Sequence, residues 1–184
     1  MPMHNTAHSY GSVAKFLHWS IVILVIVQFY LAESADDLPD GAEKFQIIAR
    51  HKTLGVLLLV LAIARILWKL AMRGRPQPVG AGALKKAAAA GHGLLYLLLL
   101  AQPISGWAMA SAAGAKVTFF GWFTLPPLAH ADHALHERLE DLHGALFWVL
   151  VAVAALHVAA ALYHHFVLKD GVLRRMSPFD ASID

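Results

Sequence analysis

The sequence predicts an all-α fold, an integral membrane four-helix bundle, and three observations carry that expectation. Of the 184 residues, 58% are hydrophobic and only 15% are charged, too little polar surface to clothe a soluble domain of this size. Four apolar stretches are each long enough to cross the ~30 Å hydrocarbon layer as a helix. The basic residues stand at the ends of those stretches and form no face of their own. That is a topology signal, so the expected partner is the lipid bilayer and not nucleic acid, despite a pI near 9.3. Residues 1–184 are read as a single transmembrane domain.

The four segments are expected at residues 13–32, 50–72, 88–110 and 142–168. The N-terminal run MPMHNTAHSYGSVAKFLHW lacks the basic start and small-residue cleavage site of a secretory signal, so the first segment is expected to be retained. In the third, Gln102, Pro103 and Gly106 predict a kink near the outer end. The connection after the first segment carries Glu33, Asp36, Asp37, Asp40 and Glu43, and the one after the third carries Asp132, Glu137, Glu140 and Asp141. Lys69, Arg73, Arg75, Lys85 and Lys86 bracket the middle connection, Lys15 lies at the start of the first segment, and Lys169, Arg174 and Arg175 follow the fourth. Positive-inside reasoning places both termini in the cytoplasm and both acidic loops outside, facing the periplasm if the membrane is the inner membrane of a Gram-negative bacterium.

Twelve histidines and no cysteine are the compositional anomaly. Absent thiols exclude disulfides, thiolate-held clusters and thioether-linked haem. On an α-helix His143 and His157, fourteen residues apart, lie ~21 Å apart along the axis and within ~40° of one face. Inward imidazoles at two depths can each hold an axial position of a haem in a bundle core. His51 opens the second segment level with His143, which suits an outer haem. At the inner level His157 has two candidate partners, His18 and His92, and spacing does not choose between them. His92 otherwise reads as a donor to a haem propionate or near a quinone, or as packing beside Gly91 and Gly93.

The runs FLHW, RHKTLG, GHGLLY, QPISGW, LHVAAALYHH and KDGVLRRM resemble the bacterial cytochrome b561 family, over roughly residues 15–176. That resemblance implies two b haems, with His18 and His157 on the inner iron and His51 and His143 on the outer. It implies a ubiquinone acceptor beside His164, and a di-haem superoxide oxidase activity, a superoxide:ubiquinone oxidoreductase. The run HADHALHE is not among the motifs that carry the resemblance. His164 also lies one heptad beyond His157, at a depth where a quinone ring could meet aqueous protons; a polar interfacial anchor is the simpler reading.

Arg65 lies fourteen residues after His51, hence on nearly the same face at the inner level. Intramembrane arginine is costly unless paired, and a haem propionate suits its bidentate fork; snorkelling beside Lys69 is the plain alternative. The outer segments hold nine acids against five bases, a net charge of about −4 that repels an anion. Arg50 and Lys52 flank His51 and are therefore the candidates for superoxide approach. His130, His133 and His136 read as part of an interfacial helix, with Leu135, Leu139 and Leu142 toward the bilayer, better than as a zinc site. The five tryptophans read as an interfacial belt.

Two other functions compete. One is the cytochrome b subunit of a larger respiratory complex, of hydrogenase or formate dehydrogenase type, or a generic carrier fed by a redox protein partner on the acidic loops. The other, a histidine-lined transporter, is disfavoured because no carboxylate lies inside any apolar core.

Overall fold

The computed structural model describes residues 3–6, 9–72 and 82–178. Arg73 and Arg75, which entered the charge argument, lie outside the described residues. Four long helices follow one another: α1 (Ser12–Asp36), α2 (Ala42–Ala71), α3 (Gly82–Ala112) and α4 (His133–Tyr163). All four are long and apolar enough to span a membrane. Each runs beyond its apolar segment, because hydropathy detects only the part that lipid must cover.

The starts differ most. α2 begins eight residues before position 50, through the amphipathic turns of AEKFQIIA. α4 begins at His133, where the Asp132 side chain accepts the Leu135 N–H at 3.0 Å and caps the first turn. The segment expected as a separate interfacial helix is therefore the first two turns of the fourth span. α3 stays helical through Pro103. α4 closes in a π-helical turn (His164–Leu168), and a left-handed Lys169 then leads to the short α5 (Val172–Met176).

α1 packs along α2, α3 along α4, and α2 against α3. Leu17, Ile21, Leu58, Ala62, Leu98 and Leu150 point inward and are buried, while Ile26, Leu67, Leu97, Trp148 and Leu156 are exposed. An apolar exterior around a small core is what a bilayer solvent permits, since lipid imposes no cost on exposed Leu or Ile.

Both ends are closed by polar ties. At the end carrying the termini, Tyr10 N–H donates to the Arg175 carbonyl at 3.3 Å, and the Trp19 indole donates to the Met176 carbonyl at 2.9 Å. Here the N-terminal stretch crosses so tightly over Gly11 that a Cβ there would collide with the Met3 carbonyl oxygen and the His4 backbone. At the other end, β1 (Thr118–Phe119) and β2 (Phe123–Thr124) form a small antiparallel hairpin. Its turn places Phe120 and Gly121 at positive φ. Thr53 holds this hairpin to α2 through a 2.9 Å bond to the Thr118 carbonyl.

Candidate functional site

Antiparallel helices bring histidines from distant parts of the chain to two levels of the interior. At the loop end, the ring centres of His51 on α2 and His143 on α4 are 6.3 Å apart, with planes at 82°. At the termini end, those of His18 on α1 and His157 on α4 are 6.4 Å apart, at 79°. Two imidazoles on opposite sides of one iron stand on the order of 6 Å apart, since each nitrogen–metal bond is ~2.0–2.1 Å and a ring centre lies about 1 Å behind its nitrogen. Both pairs fit that separation.

The surroundings of the loop-end pair favour a bound group too. The Ser105 hydroxyl donates to the Gln102 carbonyl at 2.8 Å and lies 2.9 Å from His143 Nδ1. With its single proton committed to the carbonyl, Ser105 accepts from Nδ1–H, which leaves Nε2 of His143 as the electron-pair donor. The Gln102 amide nitrogen donates to the His143 carbonyl at 3.2 Å and lies 3.3 Å from His143 Nε2, so a group bound at Nε2 would take the place of that second contact. A Cβ on Gly106 would stand 2.9 Å from His143 Cε1, so glycine lets the ring lie against α3. Across the pair, Gln28 holds the His51 carbonyl at 3.0 Å, while His51 Nδ1 is buried with no hydrogen-bond partner. An orphaned buried nitrogen costs about 1–3 kcal/mol, which points to a ligand. Ser105 and Gln28 were not singled out from the sequence, and Gln102 only for a kink at Pro103. Polar residues inside apolar segments, two of them three apart on one helix, were the signal available.

At the termini end His157 also meets His92 of α3, with ring centres 5.3 Å apart. That is shorter than the separation across an iron, whereas the His18 distance matches it. Gly91 and Gly93 have open space where a Cβ would stand, so crowding does not explain the glycines flanking His92. Arg65 reaches α1 and donates to the Ala14 carbonyl at 2.8 Å, one turn before His18. That bond uses one of five guanidinium N–H groups, so a propionate at this level would still find donors. Tyr10 caps the same region. Burial and Tyr96 push its phenol above the ordinary value, against the pull of Arg65 and Arg175.

His164 opens the π-helical turn, and its Nδ1 lies 2.5 Å from Asp170 Oδ2, while Asp170 Oδ1 accepts the Val172 N–H at 3.1 Å. Partial burial raises the Asp170 carboxyl, but these two bonds, His164 and Arg175 together hold it below the usual carboxylate value.

Arg50 and Lys52 do not share an opening. Arg50 lines a cleft between α1 and α2 with Ser34, Asp37 and Glu43. Lys52 turns the other way and donates to the Lys116 carbonyl at 3.3 Å. Two residues along a helix is a 200° rotation, so flanking His51 in sequence does not mean flanking it in space.

His133 and His136 pair along α4 with Glu137 at 3.6 Å and Glu140 at 3.9 Å. His136 Nδ1 also lies 3.2 Å from the Met109 carbonyl oxygen. Among the described residues no group of three or more His, Asp or Glu side chains is placed to hold a bare metal ion.

A family model described as prokaryotic cytochrome b561 matches residues 9–179. The chain is 35% identical to cytochrome b561 homolog 2 of Escherichia coli (strain K12), over 96% of this chain and 95% of that one. It is 33% identical to the probable superoxide oxidase CybB of Yersinia pestis, over 92% and 96% of the two chains. It is 29% identical to cytochrome b562 of Cereibacter sphaeroides, over 87% and 89%.

Proposed function

The chain belongs to the prokaryotic cytochrome b561 family and is a multi-pass bacterial inner-membrane protein of haem-based electron transfer; we propose that it is a di-haem superoxide oxidase that reduces ubiquinone. The observation that carries this reading is the repetition of one spacing, 6.3 Å and 6.4 Å, by two histidine pairs at two depths. In it, His51 and His143 hold the outer haem, and His18 and His157 the inner one. When bound, each b haem supplies a one-electron iron couple. The chain's own groups do the rest: Ser105 sets the His143 tautomer, Arg65 pairs with a propionate, and His92 stands beside the inner group without ligating it.

The reaction balances with few parts. Two superoxide anions each lose one electron and leave as molecular oxygen. One quinone takes those two electrons and two protons. Positive-inside charge places the termini, and so His164, on the cytoplasmic side, where protons are drawn from water. Superoxide then arrives at the acidic loop end, where Arg50 and Lys52 are the cationic neighbours of His51 along the chain. Support for this donor comes from the resemblance to the probable superoxide oxidase.

The acidic loops favour a second reading, in which a cationic redox protein docks there and feeds the cytochrome. Purified protein assayed as pyridine haemochrome should give two b haems per chain. Oxidised protein given a superoxide pulse should then show haem reduction within the pulse, abolished by superoxide dismutase. Reduction that persists with the dismutase, or none at all, rejects superoxide as donor and leaves the partner-fed carrier.

A further inference from the structure

Resting on the reading of His164 as the residue beside the quinone, we propose that Asp170 is the positioning residue that makes His164 a directed proton donor. The argument is geometric. Asp170 is held at both oxygens, Oδ2 against His164 Nδ1 at 2.5 Å and Oδ1 against the Val172 N–H at 3.1 Å. The backbone returns to make this possible: the π-helical turn ends in left-handed Lys169 and Gly171, and the Asp170 N–H donates to the His164 carbonyl at 3.3 Å. A carboxylate only accepts, so Nδ1 carries the proton and Nε2 is left as the one ring atom free to exchange protons with a substrate. A carboxylate behind an imidazole fixes its tautomer and its orientation together.

Each turnover of the quinone needs two electrons and two protons. With the ring doubly protonated and Nδ1–H held by Asp170, Nε2 gives its proton to a quinone carbonyl oxygen as that oxygen gains electron density; the ring is left as the neutral Nδ1–H tautomer and takes a proton from the aqueous side before the second transfer. His164 and Asp170 are both part-exposed, with side chains 27% and 21% accessible, so water reaches the pair. Among the described residues, Arg175 of α5 is the charged group on a neighbouring element that acts on Asp170.

The test is a double-mutant cycle on haem-loaded protein with a soluble short-chain ubiquinone. Asp170→Asn keeps an oxygen for the Val172 cap, while its amide can donate to Nδ1 and hold the opposite tautomer. It should lower kcat for quinone reduction about tenfold or more, with KM and haem content unchanged. In a His164→Ala background the same change should add nothing, because Asp170 acts only through His164. If His164→Ala slows the enzyme but Asp170→Asn stays within twofold of wild type, the positioning role is overturned and the quinone reading stands. If Asp170→Asn loses haem, or slows the His164→Ala protein equally, its role is structural. If neither single variant slows quinone reduction, the quinone reading itself falls, and this inference with it.

Discussion

Ser105 Oγ lies 2.9 Å from His143 Nδ1 and spends its only proton on the Gln102 carbonyl one turn back. The hydroxyl is thereby an obligate acceptor, and His143 keeps the lone pair on Nε2, which the Gln102 amide faces at 3.3 Å. Ser105→Ala removes that acceptor. Loss of a partner behind a ligand histidine weakens metal affinity about 10–100-fold, so this variant should bleed haem from the outer site first. Titration of haem into apoprotein, followed by optical spectra, measures it; affinity equal to wild type would show that Ser105 does not orient the ring.

Gly106→Ala probes the other side of the same ring. Its Cβ would come within 2.9 Å of His143 Cε1, and the ring cannot retreat without giving up Ser105. Overpacking of this kind costs about 1–3 kcal/mol. The variant should melt earlier than wild type and hold one haem per chain, which calorimetry and the haemochrome assay report.

His18 and His92 offer the cleanest separation. His18 stands 6.4 Å from His157 and His92 only 5.3 Å, ring centre to ring centre. His18→Ala should retain one haem per chain and His92→Ala two. The reverse result would reassign the inner pair to α3 and α4.

Lys52 and Arg50 should no longer behave alike. Lys52→Gln should slow haem reduction by superoxide roughly two- to fivefold at low ionic strength, with the difference fading as salt shortens the Debye length. Arg50→Gln should do less, because Asp37 and Glu43 share its cleft and already offset its field. Stopped-flow traces at two salt concentrations decide between them.

Much of this architecture could be read from the chain. The bundle followed from hydropathy, and the two levels followed from His143 and His157 being fourteen apart on one helix. What escaped was the continuity of helix past the lipid: Glu43 and Lys44 of α2 read as connection, and His133 to Glu140 of α4 as an interfacial helix apart from the fourth span, although the Asp132 cap was a local signal. The divergence of Arg50 from Lys52 was available from helical rotation alone. The choice between His18 and His92 was not, because it depends on how far α1 and α3 stand from α4. Asp170 was equally hidden: the π-helical turn that swings it back to His164 has no sequence signature.

The helices pair as two hairpins, α1 with α2 and α3 with α4, joined in packing mainly by α2 against α3. Each histidine pair takes one imidazole from either hairpin: His51 and His18 from the first, His143 and His157 from the second. A group held by both imidazoles therefore works as a rivet between two half-proteins. Neither rivet can be set until the fourth helix has entered the membrane. Where a haem is so held, its uptake adds to the α2–α3 packing in joining the halves, so the two halves, made as separate polypeptides, should associate more tightly when haem is supplied.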